Sequence, residues 1–338
     1  MAAVRVTALA SGDGRAVAEL WRELWTLHER WNGYPASHDP AVYASLAERL
    51  EVWALRRRSD PILGQHVHLV ARDGGGVPVG QVEGWLERHG THPATPVTCE
   101  VRSLVVAERA RGLGVGGVLL AELERLARDV ARGSAFSVAE VLEPNAAIGF
   151  YRRLGYRPIA CSMMLTLVPG AALPAPAQPE PGPLRARLAH ASDAMAVARL
   201  EMARRATARA RGDLRLDPSG AVDASFAHVV ASHLRRATGE LVVWDGPQLL
   251  AQGSLLVSTL EAPFAPVTRA ALGRLAVHEG GERAVAQLLV LAGQRARHRG
   301  ARRLEVADLP ISAGHPITTA LQREGAQPFS QIVAKPLR

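Results

Sequence analysis

The sequence predicts an α/β chain built as two tandem copies of one domain. Three observations predict it. Stretches of alternating apolar residues exchange with Ala/Leu-rich helical patterns along the chain, a proline-rich run interrupts them near the middle, and segments on either side of that run match at a nearly constant spacing. At 338 residues the chain is long enough for two domains that each bury a core.

Taken in order, each half begins with a short strand, "VRVTAL" from Val4 and "LRARLA" from Leu184, followed by Asp13 or Asp193 as an N-cap and then a helix. The first helix carries Trp21 and Trp25 four residues apart, the spacing of one helix face. The middles "HVHLVARDGGGVPVGQVEGWLE" from His66 and "ELVVWDGPQLLAQGSLLVS" from Glu240 read as β-hairpins turning on glycine or Gly-Pro. Next come "RSLVV" (Arg102 to Val106) and "GRLAV" (Gly273 to Val277), offset by 171, each leading through a polar corner into a helix. Late in each half "RRLGY" (Arg152 to Tyr156) faces "QREGA" (Gln322 to Ala326), offset by 170. Between the halves "VPGAALPAPAQPEPGP" holds too many prolines for helix or sheet, so the organisation expected is a domain at 1–167, a semi-rigid linker at 168–183 and a domain at 184–338.

Composition excludes several classes. Hydrophobic residues at 48% and charged residues at 21% are those of a globular protein. No apolar run approaches the roughly 18 residues needed to cross a bilayer, and "MAAVRVTALA" lacks the layout of a signal peptide, so the expectation is a cytoplasmic protein with no membrane partner. Cys99 and Cys161, the two cysteines, give neither a disulfide framework nor metal-ligand spacing; His28, His38, His66 and His68 add none, and no metal is expected. The net charge of +8 comes from scattered arginines, with Lys335 the single lysine. It shows no stripe with interleaved aromatics, so no nucleic-acid partner is expected.

The chemistry concentrates in "VRSLVVAERARGLGVGGVLLAELERLA", where a strand breaks into arginine and glycine before a helix. A helix N-terminus offers unpaired N–H groups and the positive end of the helix dipole. Gly112, Gly114, Gly116 and Gly117 remove the Cβ atoms that would keep a phosphate away, while Arg109 and Arg111 add charge. There is no Gly-Lys-Ser/Thr, and the glycines follow a fourth strand rather than a first, so neither a nucleoside-triphosphate loop nor a dinucleotide fold fits.

From Arg109 through Gly112 to Gly114 the stretch resembles motif A of the GNAT acyltransferases, with its Gln/Arg-x-x-Gly-x-Gly/Ala pattern; the register starting at Arg111 meets it too. A second landmark, "EPNAAIGFYRRLGYRP" from Glu143, is similar to that family's asparagine-to-tyrosine helix. Asn145 here stands six residues before Tyr151 where seven is usual, and Pro144 takes the usual place. The resemblance covers Val4 to Leu167. It implies a twisted, mixed, mainly antiparallel sheet flanked by helices in each half, and acetyl-CoA as cosubstrate. The diphosphate would lie on Arg109, Arg111, Gly112, Leu113, Gly114, Val115, Gly116 and Gly117, and the pantetheine along Leu104, Val105 and Val106, with Asn145 near the cofactor. It implies Tyr151 as the acid that protonates the departing thiolate, and a polarising backbone N–H near Val105 or Val106 where the strand bulges.

The base stays open among Glu100 on the same strand, Glu83 on the adjoining hairpin and a water relay; Glu83 also suits binding of the substrate ammonium. Aromatic residues of the first helical region, Trp25 and Tyr34 among them, suit an organic cation, and helical spacing equally makes them packing residues. In the second half the positions of Arg111, Gly112, Gly114 and Gly116 fall on Glu282, Arg283, Val285 and Gln287, and that of Tyr151 on Leu321. That copy is expected to keep the fold without the chemistry. The activity expected is N-acetylation of a small-molecule or peptide amine by a monomer or homodimer; the alternative is a non-catalytic acyl-CoA sensor.

Overall fold

In the computed structural model the chain is described over residues 4–56, 65–88, 96–131, 134–167, 184–213, 230–232, 234, 239–260, 264–311 and 314–337. The proline-rich run at 168–183 lies outside these residues. Two compact units emerge, and neither is continuous in sequence. Unit 1 comprises Met1–Arg157, Glu261–Pro266 and Val333–Arg338; unit 2 comprises Pro158–Leu260 and Val267–Ile332.

Unit 1 runs β1 (Arg5–Ala8), α1 (Gly14–Asn32), α2 (Pro40–Arg56), β2 (Gln65–Arg72), β3 (Pro78–Arg88), β4 (Val97–Val106), α3 (Val115–Ala131), β5 (Ala135–Leu142) and α4 (Ala147–Arg153). Strands β1 to β4 pair antiparallel in sequence order, and β4 pairs β5 in parallel, so the sheet is mixed and mainly antiparallel as expected. Alternation along β3 sends Gly80, Val82, Gly84 and Leu86 to one face, where α3 packs. A Cβ on Gly84 would stand 2.7 Å from Leu123 and one on Gly80 3.1 Å from Leu119, so these glycines set how closely helix and sheet approach. Gln81, Glu83 and Trp85 point to the opposite face, on which Leu20 and Leu24 of α1 meet Val105.

Asp13 occupies the N-cap position of α1 but does not cap it. Its carboxylate is drawn to Arg72 at 2.5 Å and the Ala10 N–H at 2.7 Å. Glu51 of α2 takes the role, accepting from Gly12 N–H at 2.8 Å and Gly14 N–H at 2.6 Å, and these bonds hold its carboxyl below the usual range. Asp193 is likewise turned to Arg187, at 2.7 Å.

Unit 2 repeats the plan with β6 (Arg157–Thr166), β7 (Arg185–Leu188), α5 (Ala194–Ala210), β8 (Glu240–Asp245), β9 (Gln248–Thr259), β10 (Thr268–Val277), α6 (Arg283–His298), β11 (Arg303–Leu309) and α7 (Pro316–Arg323). Strands β7 to β10 pair antiparallel in order, β10 pairs β11 in parallel, and β6 closes the series on β11. The last strand, β12 (Gln327–Leu337), gives its final residues to unit 1, where Val333 and Leu337 enter the core.

A buried polar network ties those last residues to α3. The Tyr156 hydroxyl lies 2.9 Å from Glu124 and 2.7 Å from Ser137, and Lys335 Nζ reaches the same Glu124 carboxylate at 2.8 Å. Removing the Tyr156 hydroxyl takes a buried hydrogen bond from both Ser137 and Glu124. Tyr156→Phe is therefore expected to lower the unfolding free energy by about 1–3 kcal/mol, read as a lower urea midpoint at unchanged slope.

Candidate active site

Parallel pairing of β4 with β5 covers Val97–Val101 against Ala135–Ala139 and then stops, while β4 continues to Val106. The two strands part. A groove of about 540 Å³ opens at the divergence, floored by Leu104, Val105 and Val106 and closed by the start of α4 and by Leu24, Leu27 and Trp31 of α1. β4 is irregular at this point: Glu83 pairs Ser103 and Gly84 pairs Val101, so the extra residue of the bulge is Arg102. The family resemblance implies a bulge three or four residues later, near Val105 or Val106; those residues pair regularly with Gln81 and Gly80.

The glycine corner forms the end of the groove. Gly112 (φ 78°) and Gly114 (φ 81°) adopt the left-handed conformation that Cβ-bearing residues avoid, and a Cβ on either would meet nothing within 4 Å. The first helical bond of α3 runs from Val118 N–H to Gly114 O, which leaves the first-turn N–H groups of α3 without intrahelical acceptors. A Cβ on Gly116 would stand 3.4 Å from Phe150, which also lines the groove. Arg111 donates from Nε to Val106 O at 3.0 Å and pairs with Glu23 of α1.

Ten of the predicted cofactor positions therefore share one groove: Leu104, Val105, Val106, Arg111, Gly112, Gly114, Val115, Gly116, Gly117 and Asn145. Arg109 and Leu113 stand outside its lining: Arg109 donates to Pro78 O at 3.2 Å beside a neighbouring cleft, and Leu113 is exposed. Asn145 uses Oδ1 to accept the Ala147 N–H at 2.8 Å, securing the start of α4.

The predicted catalytic and acceptor residues are more scattered. Tyr151 is buried directly after Phe150, with its ring 5.2 Å from those of Phe150 and Tyr156, and burial pushes its phenol well above the usual range. Glu100 is exposed and paired with Arg102 at 2.9 Å. Glu83 is buried, opposite His68 on β2 and Ser103 on β4, with His66 Nδ1 at 3.3 Å. Trp25 and Tyr34 stack at 5.4 Å in a separate cluster. Phe264 completes it, 4.4 Å edge-on to Trp25, from a segment some 240 residues away that belongs to unit 1. Sequence reasoning missed Phe264, the His66–Glu83 pair and the Gln81–Ser103 bond of 3.0 Å. The alternation of β2 and β3 was the available signal for the second of these.

Among the described residues no group of three or more His, Cys, Asp or Glu is placed to hold a metal ion, and no helix is long and apolar enough to cross a membrane. Burial pushes the Cys99 thiol up to about 12, and Cys161 lies 3.7 Å from Pro310 O.

Residues 19–156 match the model of the Acetyltransferase (GNAT) family, so this stretch of the chain carries a domain of that family. Among solved structures, a GCN5-related N-acetyltransferase from Sphaerobacter thermophilus is similar over 99% of this chain and 96% of its own (TM-score 0.60, 18% identity). A tandem GNAT protein from the clavulanic acid biosynthesis pathway is similar over 99% of both chains (TM-score 0.53, 21% identity). A glucosamine N-acetyltransferase region of a fungal multi-domain GH3 β-N-acetylglucosaminidase is similar over 99% of this chain and 38% of that one (TM-score 0.58, 13% identity). At these identities the likeness is one of fold. No curated protein matches the chain.

One feature of the α1 region has a measurable pH consequence. His28 packs 4.9 Å from Trp25, and burial lowers its pKa to about 4. Above about pH 6.5 the ring is neutral folded or unfolded; below it the unfolded chain takes up the proton first, so stability falls as pH drops towards 4. Thermal melts across that range are expected to show the loss, and His28→Gln to flatten it.

Proposed function

We propose that unit 1 binds acetyl-CoA in the β4–β5 groove and acetylates a primary amine by direct transfer. One observation carries the reading: ten positions picked out by the motif line a single groove whose two left-handed glycines have open space where side chains would project. The groove fits an elongated thioester with a charged head. The first-turn N–H groups of α3, with Arg111 beside them, would hold the diphosphate. The edge of β4 turned away from β3 beyond Val101 would hydrogen-bond the pantetheine amides.

Bound there, acetyl-CoA supplies an acyl group already activated as a thioester. Tyr151 retains its proton throughout the neutral range because burial disfavours the phenolate, so it serves as the donor to the departing sulfur. The acceptor amine must arrive neutral, which calls for a base on the sheet face beneath α1 and α2. Trp25 and Tyr34 form an aromatic wall on the acceptor side. The covered ring of Tyr151 is the observation that favours the second reading, a protein that binds acyl-CoA without turnover.

In the second copy Gly280 (φ 76°) keeps one open left-handed position, but Glu282 stands at the N-cap of α6 and Arg283 is engaged by Asp245, so a carboxylate and a paired guanidinium stand at the helix start where the first copy has glycine. Leu321, at the position of Tyr151, is fully buried. We assign catalysis to the repeat at 1–167 and a structural role to the repeat at 184–338.

Two outcomes are expected. Acetyl-CoA at 100 times its Kd raises the stability of the full chain by about 2.7 kcal/mol in a thermal-shift assay, and Gly114→Glu removes that gain without unfolding the protein. With an accepted amine, Tyr151→Phe lowers kcat by about 10²–10⁴-fold at unchanged acetyl-CoA affinity; unchanged turnover would sink its role as the acid.

A further inference from the structure

We infer that His66, oriented by Glu83, is the general base that deprotonates the acceptor amine; the inference rests on reading unit 1 as an amine acetyltransferase. The register of β2, β3 and β4 sets two rows of side chains on the face away from α3: His68, Glu83 and Ser103 in one, His66, Trp85 and Glu100 in the next. The Arg102 bulge lies between these rows, just where β4 leaves β5. Glu83 is therefore one strand away from the inner end of the groove.

A carboxylate buried in the middle of a sheet needs a partner to stay ionised. His66 Nδ1 lies 3.3 Å from Glu83 Oε1, and the two side chains reach from the interior (8% exposed) to the surface (37% exposed). A carboxylate at Nδ1 keeps the ring proton there, which makes Nε2 the nitrogen that accepts. This is the arrangement in which a base is aligned by a third group behind it. The ring is held edge-on by Trp85 at 4.6 Å and Trp53 at 5.8 Å, and Trp85 is itself anchored through its Nε1 to Glu87 at 3.0 Å. Two indoles beside a carboxylate–imidazole pair suit an amine carried on an organic body. Glu100, in the same row, has its carboxylate engaged by Arg102.

The step balances without a further reactant. The ammonium gives one proton to His66 Nε2, and the imidazolium that forms is stabilised by Glu83 and returns that proton to solvent. The neutral nitrogen bonds to the acyl carbon as the carbon–sulfur bond breaks, and its second proton is matched by the one delivered to the thiol sulfur. Glu83 acts through His66 and is a positioning residue. The titratable groups around the imidazole are Glu83 and His68 on its own face of the strands, Glu87 behind Trp85 and the Glu100–Arg102 pair. From α2, Trp53 contacts the ring, and Arg49 stands one turn before it.

The test uses the full chain, acetyl-CoA and phenethylamine as probe acceptor, comparing wild type, His66→Gln and Glu83→Gln. Stabilisation by acetyl-CoA should be equal in all three; its absence in the wild type would overturn the cofactor reading rather than the base. His66→Gln should lower kcat at least 100-fold and erase the acidic limb of the pH–rate profile, while Glu83→Gln keeps the limb and moves its midpoint. An acidic limb that survives His66→Gln overturns the assignment. Should phenethylamine not be turned over, ¹⁵N spectra of the histidine rings decide. A His66 protonated at Nδ1 and perturbed by phenethylamine supports the role, and an Nε2-protonated ring, or one indifferent to the amine, refutes it.

Discussion

Beyond Val101 the two parallel strands at the centre of unit 1 no longer share hydrogen bonds, and everything at the site depends on that parting. A sheet that stayed zipped would bury the β4 backbone against β5 and leave no groove. Because β4 stays paired to β3 on either side of the Arg102 bulge as far as Val106, it is held in place while offering its other edge. α3 then begins where the strand ends, and its first turn closes the gap. The cost of separating two central strands falls on the packing around them: α3 is seated against Gly80 and Gly84, and the Tyr156–Glu124–Lys335 network fixes its far side.

Unit 2 shows how little of this belongs to the fold itself. There β10 and β11 pair over Ala270–Leu272 and then diverge as well, and a groove of about 390 Å³ results. Its surroundings are ionic. Glu201, fully buried, is held by Arg204 at 2.9 Å and Arg205 at 2.8 Å, and Arg274 and Asp308 sit at positive φ beside the divergence. The strand geometry survives in both copies, and Gly280 keeps one left-handed position at the second corner, but the helix start that is bare in the first copy carries Glu282 and Arg283 in the second. Chemistry of this kind resides in a few residues placed on a fold.

The face of the sheet beneath α1 and α2 poses the opposite problem, since polar groups are buried there. His68, Gln81, Glu83 and Ser103 are all less than a tenth exposed. Buried polar groups are costly unless paired, and here the register across three strands brings His66 to Glu83 and Gln81 to Ser103. The aromatic cluster of Trp25, Tyr34 and Phe264 follows a different logic: three rings from distant parts of the sequence meet in one wall of unit 1.

The sequence by itself determined the local elements and the corner. Hairpins, the strand-to-helix break and the repeat are written in alternation, turn residues and glycine spacing, all of which act over a few residues. It also picked out ten positions that prove to lie on one groove, because a strand end followed by a helix start leaves little freedom in where they point. The N-cap of α1 was misjudged, since a charge on β2 competes for Asp13, and the bulge lies away from where the resemblance implies it, since its position depends on the pairing with β3. Only the tertiary structure decided that Glu83 meets His66, that Phe264 joins Trp25 and that the final residues of the chain enter the core of unit 1. Those contacts join residues far apart along the chain, and their partners are selected by burial and register, which no local spacing encodes.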